Sequence, residues 1–255
     1  MGPFYPKGLD RSKWLQHYAS KFDFVEIDSS FYSIPSPFRV KKWAVNTPPH
    51  FRFTAKMPKA ITHEKVMFDC LHELEMFLSA MVPLKEKMLA FLIQLPPSIG
   101  FKSGFKVLQN FVSMLDKRYR YALEVRQSTW FNDDLYKFLK KEEICLAWSV
   151  RDEVSTPPIT TTDFVYLRFI GDRSIQDHEF GKIQKDRTQE MEHWAAELNK
   201  AIDGLSFGIV AQNNHYAGFG PASANIFRKI LDLPELHFAG EKSQSRLDHF
   251  HLDKQ

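Results

Sequence analysis

The chain has 255 residues, with 34 Lys and Arg against 31 Asp and Glu, which gives a formal charge of +3 at pH 7. This balance is not the strongly basic composition of a typical nucleic-acid or membrane-surface protein, although a local basic patch is compatible with it. The two cysteines, Cys70 and Cys145, lie far apart without a CxxC or Cys/His spacing, so we expect reduced core residues and no disulfide or zinc framework.

The opening segment lacks the basic-then-apolar pattern of a signal peptide, and no run approaches the ~18 apolar residues that span a bilayer. We therefore expect a cytoplasmic protein with no membrane partner. α/β barrels of this length commonly form one domain, and the sequence contains no internal repeat or linker. The economical division is a single domain over residues 1–255.

Short β-rich runs alternate with amphipathic segments along the whole chain. The predicted helices, in chain order, lie near residues 14–22, 38–46, 69–81, 105–115, 131–141, 191–202 and 222–232. The predicted strands are residues 22–28, 51–56, 88–95, 119–126, 144–150, 163–170 and 206–212. This alternation predicts parallel strands that are joined by helical crossovers.

The sequence contains no GxGxxG or GxxxxGK[ST] loop, which disfavours an open nucleotide-binding sheet and leaves the cofactor unassigned. Apolar strands with helices between them fit either a doubly wound open sheet or a closed TIM-type (β/α) barrel, which has eight strands. This chain opens with a helix and has seven recognisable strands, so the usual first strand is predicted to be missing.

Polar side chains occur where nearly every predicted strand ends, which is where barrels carry their functional groups. Side chains two residues apart on a strand share a face, so Glu26 and Asp28 point together, as do Glu124 and Arg126. The candidate site residues are Glu26, Lys56, His63, Gln94, Glu124, Arg126, Arg168, Asn213 and Asn214.

Each type of residue suggests a role at one mouth of the barrel, the end at which the strands terminate. Glu26, Glu124 and His63 are candidate catalytic acids and bases, since burial and neighbouring charges tune such groups for proton transfer.

Cations and amides in the same set suggest a bound anion. Lys56, Arg126 and Arg168 could grip a phosphate or carboxylate, and Gln94, Asn213 and Asn214 could orient it by hydrogen bonds.

A structural interpretation stands beside the functional one. Glu124 with Arg126, or Glu26 with Lys56, could be ion pairs that neutralise one another inside a polar barrel mouth. The agreement of several strand ends favours a site.

Several motifs resemble the YecE-like family, domain of unknown function 72. They are VEIDSSFY at 25–32, Trp43, the FRFTAK and ITH segment at 51–63, QLPPS at 94–98, LEVRQSTW at 123–130, YLRFIGDR at 166–173 and NNHYAGFGPASAN at 213–225. Two features depart from the family pattern. The family's first strand is absent, and Asp28 and Ile170 stand where Asn and His are usual.

The resemblance implies a (β/α) barrel similar to those of endonuclease IV and xylose isomerase, and it implies no particular reaction. The leading hypothesis is an enzyme that binds a phosphorylated small molecule or a phosphodiester. One alternative is a non-catalytic nucleic-acid-binding protein, suggested by the basic segments at 36–43 and 116–121. The other is a metal-dependent hydrolase or isomerase, although no metal ligands are assigned. The oligomeric state is not predicted.

Overall fold

Eight strands and nine α-helices occur in residues 3–171 and 173–238, which this computed structural model describes. The strands are β1 (Phe24–Ile27), β2 (Arg52–Lys56), β3 (Met88–Gln94), β4 (Tyr121–Glu124), β5 (Ile144–Leu146), β6 (Trp148–Val150), β7 (Phe164–Phe169) and β8 (Phe207–Gln212). The helices are α1 (Trp14–Ala19), α2 (Ser29–Tyr32), α3 (Pro37–Val45), α4 (Leu71–Met81), α5 (Phe101–Val112), α6 (Asp133–Lys141), α7 (Thr188–Ala201), α8 (Asn214–Ala217) and α9 (Gly220–Ile230).

The strands form two parallel sheets, in the orders β1-β2-β3-β4-β5 and β6-β7-β8. The predicted mixed α/β architecture with parallel strands is therefore confirmed. Helices follow most strands and cover the outer faces of the sheets, where their apolar stripes are buried.

The predicted count of seven strands is wrong, because the run 144–150 forms two strands that are separated at Ala147. β5 pairs with β4, whereas β6 pairs with β7. Alongside β5, the hydroxyl of Thr161 donates to Ile144 O at 2.7 Å and accepts from Leu146 N at 2.8 Å. The Thr161 side chain thus makes the hydrogen bonds to β5 that a neighbouring strand would make, because β7 begins only at Phe164.

β1 and β8 are the terminal strands of their sheets, and no pairing joins them within the described residues. Both are only partly buried, whereas every residue of β7 and β4 is buried. The structure thus contains a TIM-like arrangement of parallel strands whose closure by hydrogen bonds is not seen in this part of the chain.

Two short helices after terminal strands place polar residues at the carboxyl ends of the sheets. α2 follows β1 immediately after Asp28, and α8 follows β8 with Asn213 as its N-cap, whose side chain accepts from His215 N. Neither short helix was predicted. Among the helices of residues 3–171 and 173–238, none has the length and apolar character needed to cross a membrane.

Candidate functional site

Alternate residues of the strands face the interior between the two sheets, and their character changes along the strand direction. Near the amino ends the interior is apolar, with Phe24, Phe164 and Phe207 in one cluster. Near the carboxyl ends it contains the predicted polar side chains. Within this end, the acids and bases of β1, β2, β4 and β7 contact one another, so the sequence-based expectation of convergence holds for these strands.

Arg168 of β7 lies at the centre of the polar cluster, with a side chain only 1% exposed. Its Nε and Nη2 atoms donate to the two oxygens of Glu26 at 2.9 Å and 2.6 Å, a bidentate pair. Its Nη1 atom donates to Glu124 Oε2. An arginine that binds a ligand has N–H groups free to donate to that ligand, whereas the N–H groups of Arg168 already donate to two carboxylates.

Glu26 also accepts a hydrogen bond from the hydroxyl of Tyr166, which is bonded to Thr54 Oγ1 at 2.8 Å. Lys56 Nζ lies 3.5 Å from Glu26 Oε1 and 2.6 Å from Asp28 Oδ1. Burial alone would raise the pKa of Glu26. The charges of Arg168 and Lys56, with the hydrogen bonds, outweigh burial and lower that pKa to about 2.

Glu124 is fully buried and is shared by two arginines. Arg126 Nε donates to Glu124 Oε1 at 2.9 Å, as expected for side chains on one strand face. Arg126 Nη2 donates to Gln94 Oε1 at 2.7 Å, so the amide of Gln94 orients the guanidinium. Burial of Arg126, whose side chain is 17% exposed, lowers its pKa.

The ion pairs that the structural interpretation expects are present in the polar cluster. The acids Glu26, Asp28 and Glu124 are each paired with a cation, as the structural interpretation expects. Removing one member would leave a buried charge without its counter-charge, which is strongly destabilising. Loss of any single member of the cluster is therefore expected to destabilise the fold.

His63 lies in the π-helical turn Ala60–Glu64 that follows β2. Its Nδ1 atom is 2.9 Å from the hydroxyl of Thr62, and its ring contacts the ring of Phe31 edge-on. Burial and the positive charge of Arg126 both lower the pKa of His63, which places it near the arginine side of the mouth. A neutral imidazole at neutral pH can accept a proton, unlike a carboxylate with a pKa near 2.

Arg151, directly after β6, is the mouth residue that sequence reasoning missed. Its side chain is 16% exposed and pairs with Glu153 at 2.8 Å. Burial lowers the pKa of Arg151, and repulsion by Arg126 and Arg173 lowers it further. The guanidinium group of Arg151 thus lies close enough to those of Arg126 and Arg173 to be repelled by both. The rule that polar residues at strand ends are functional would have found Arg151, since it follows the apolar run 144–150.

Asn213 and Asn214 follow β8 and line a cavity of about 820 Å³ that also contacts Glu26, Asp28 and Arg168. The side-chain oxygen of Asn213 accepts from His215 N, and that of Asn214 accepts from Gly220 N at 2.8 Å. Both amides therefore hold the local backbone through their oxygens. A ligand anion would be bound through their nitrogens, which are donors.

The family called protein of unknown function DUF72 matches residues 1–246. The chain belongs to the DUF72 family. UPF0759 protein YunF of Bacillus subtilis is 27% identical over 265 residues, covering 92% of each chain. UPF0759 protein YecE of Escherichia coli is 32% identical over 117 residues, which are 46% of this chain and 43% of YecE.

Solved structures of DUF72 proteins share this fold. A DUF72 protein from Thermotoga maritima superposes with a TM-score of 0.76 at 26% identity, covering 89% of this chain and 92% of the other. A DUF72 protein from Enterococcus faecalis gives 0.75 at 26% identity, covering 88% and 95%. The family assignment made from the motifs is confirmed.

In this DUF72 member, residues 3–171 and 173–238 contain no group of three or more His, Cys, Asp and Glu side chains that could hold a metal ion. The metal-dependent alternative thus has no donor set in this part of the chain. Cys70 and Cys145 are both buried free thiols, as predicted.

The basic segments that suggested nucleic-acid binding lie outside the mouth. Residues 36–43 belong mostly to α3 on the outside, and residues 116–121 precede β4 at its amino end. In the second segment, Arg118 pairs with Asp116 at 2.6 Å and Lys117 pairs with Glu142 at 2.9 Å.

Proposed function

We propose that this protein is an enzyme that binds an anionic substrate, a phosphorylated small molecule or a phosphodiester, at the carboxyl ends of its strands. The observation that carries the proposal is that the largely buried side chains of Arg126 and Arg151, 17% and 16% exposed, lie close enough together at the carboxyl ends of the strands for Arg126 to lower the pKa of Arg151. Two largely buried arginines that lie close together are stabilised when an anion binds between them, because the anion offsets their like charges.

Two buried hydroxyls near this group support a ligand or ordered water there. Ser149 lies in register with Arg168 on the neighbouring strand, and Thr156 N donates to Ser149 O at 3.0 Å. Neither side-chain hydroxyl has a hydrogen-bond partner in the described part of the protein. Buried polar groups are normally satisfied, so both hydroxyls are available to donate to bound oxygen atoms.

The contacts divide the proposed roles differently from the sequence-based assignment. His63 is the proposed general base or acid, since its pKa lies below the ordinary value and the ring is neutral at neutral pH. Glu26 and Glu124 fix the arginines electrostatically, because Glu26, with a pKa near 2, is too weak a base for efficient proton transfer. Gln94 orients Arg126, and Lys56 holds Glu26 and Asp28.

A thermal-shift screen of phosphorylated metabolites and short oligonucleotides tests this function, since a ligand raises the unfolding temperature in proportion to ln(1 + [L]/Kd). A true substrate should lose most of its shift in Arg151→Ala and in Arg126→Ala. Arg118→Ala is the matched control, because that arginine lies before β4 and its side chain is 73% exposed. A hit that survives both mouth substitutions, or a screen without hits, would contradict the proposal.

A further inference from the structure

His63 makes a hydrogen bond to the residue directly before it. Its Nδ1 atom lies 2.9 Å from the hydroxyl oxygen of Thr62. Neighbouring residues on a regular α-helix do not face each other. These two lie instead in the π-helical turn Ala60–Glu64, where Lys65 N donates to Ala60 O at 3.0 Å, five residues back. Turns of this type occur frequently at functional sites.

The hydroxyl group of Thr62 has one proton and two polar neighbours. Its oxygen also lies 3.3 Å from Pro58 O, a carbonyl oxygen that can only accept a hydrogen bond. When the hydroxyl donates to Pro58 O, the Thr62 oxygen accepts from His63, and both contacts are hydrogen bonds. When the hydroxyl donates to His63 Nδ1, the two oxygen atoms face each other without a proton between them.

The difference between these two arrangements is the repulsion of the two oxygen atoms. Pro58 O already accepts from the backbone N–H groups of Ile61 and Thr62 at 3.0 Å and 3.2 Å, so it has a partner in both arrangements. Thr62 is fully buried, and electrostatic repulsion is strong where water is excluded. The arrangement in which His63 Nδ1 donates to Thr62 is therefore favoured.

This arrangement fixes the tautomer of His63. A neutral imidazole has one N–H group, and the hydrogen bond at one nitrogen determines which nitrogen has the proton. With the proton on Nδ1, the Nε2 atom has a free lone pair. The contact with Thr62 is the one hydrogen bond of His63 within the described residues, and the ring of Phe31 packs edge-on against the imidazole at 4.9 Å between centroids. The ring is thus held while Nε2 stays available.

We propose that Thr62 is a positioning residue, which keeps the proton of neutral His63 on Nδ1 and so makes Nε2 a general base. The proposal rests on the function proposed above, in which the substrate is a phosphate ester. Nε2 takes the proton of a water molecule or hydroxyl group that attacks phosphorus. The O–H bond breaks as the new O–P bond forms, and the leaving oxygen takes the electron pair of its own bond to phosphorus and a proton from solvent. The opposite tautomer could only donate at Nε2.

The backbone directly after the turn is strained, which supports a functional role. Val66 and Met67 have φ angles of 48° and 64°, in the left-handed region that β-branched and bulky residues avoid. Met67 is buried, and its N–H group donates to Ile61 O at 2.7 Å, so packing and hydrogen bonding hold this conformation. Strained backbone of this kind clusters at functional sites. Here it fixes the end of the turn that contains Thr62 and His63.

Long-range ¹H–¹⁵N correlation NMR measures the tautomer directly. A ring nitrogen without a proton resonates far from one with a proton, and the couplings of the two ring C–H protons distinguish Nδ1 from Nε2. The spectrum is recorded at about pH 8, where His63, with its lowered pKa, is neutral. His63→Gln assigns its signals among the ten histidines. We expect the proton on Nδ1, and a proton on Nε2 would overturn the proposal.

Substitutions test the part of Thr62. Thr62→Val keeps the shape of the side chain without the hydroxyl, so the signal of unprotonated Nε2 should be lost as His63 changes to the Nε2–H form that histidine prefers in water. Thr62→Ala should give the same loss, and Thr62→Ser should retain the wild-type signal. Thr47→Val is the control, since it removes another largely buried hydroxyl, which donates to Trp43 O at 2.9 Å.

Circular dichroism checks that each variant folds. An unchanged tautomer in Thr62→Val or Thr62→Ala, or a changed one in Thr62→Ser or Thr47→Val, would overturn the role of Thr62. The tautomer is measured without a ligand, so it fails separately from the thermal-shift screen. A proton on Nε2 together with a hit would overturn the base and retain the anion site. A proton on Nδ1 without a hit would overturn the proposed function, while the control of the tautomer by Thr62 would stand.

Discussion

Acid should weaken this fold through Glu26, and the size of the effect follows from the pKa. The side chain takes up a proton at about pH 2 in the folded protein, against an ordinary value of 4.5. Because the unfolded chain binds this proton more readily, the ionised side chain stabilises the fold above about pH 4.5, and the contribution is lost as the pH falls to about 2. At about 1.4 kcal/mol per pH unit, the interval from 4.5 to 2 corresponds to about 3.5 kcal/mol.

Urea unfolding, followed by the fluorescence of the five Trp residues, measures this effect. Glu26→Gln lacks the titrating group and loses its ion pairs at every pH. The difference in unfolding free energy between wild type and Glu26→Gln should therefore shrink by about 1.4 kcal/mol for each pH unit below about 4.5. Glu75→Gln, on the exposed side of α4, is the control and should follow the wild type. A difference that stays constant between about pH 6 and about pH 3 would refute a lowered pKa at Glu26.

Three further outcomes are expected. An NMR titration should give His63 a pKa below 6.5, and Arg126→Ala should raise this pKa by removing a positive neighbour. An unchanged pKa in Arg126→Ala would show that the charge of Arg126 does not act on His63. Arg168→Met should lower the free energy of unfolding in urea by about 3–5 kcal/mol, because Glu26 loses its bidentate partner. Adding Glu26→Gln should recover part of this loss. A loss similar to that of the exposed Arg118→Met would contradict the central role of Arg168. A strand-forming extension at the amino end of the chain should raise the unfolding midpoint if it fills the edge of β1, and an unchanged midpoint would argue against pairing there.

The positions of the strands could be predicted from sequence because apolar runs of four to eight residues alternate with helical periodicity. The break in the strand at Ala147 could not be predicted, since Ile144 to Val150 is an uninterrupted apolar run apart from Ser149 and contains no Gly or Pro. It depends on a side-chain hydrogen bond from Thr161, a contact between segments that propensity does not encode.

The pairing in the site shows the same limit. The Glu124 and Arg126 contact follows from their shared strand face and was expected. The bond between Arg168 and Glu26 joins residues 142 positions apart, so it depends on the sheet order and the relative position of the two sheets. The capping of backbone groups by Asn213 escaped prediction because α8 is only four residues long, too short for a periodic pattern.

The contacts of Arg168 have a consequence for genetic experiments on this protein. Arg168 lies on a strand of the three-stranded sheet, whereas Glu26 and Glu124 lie on strands of the five-stranded sheet. Its side chain therefore links the two sheets, which are the two halves of the fold. An inactive Arg168 allele would therefore report failed assembly of the halves as readily as a lost reaction. Suppressor substitutions that tighten other contacts between the sheets should restore such an allele. An Arg151 allele should resist the same suppressors, because its partner Glu153 lies two residues away on the surface.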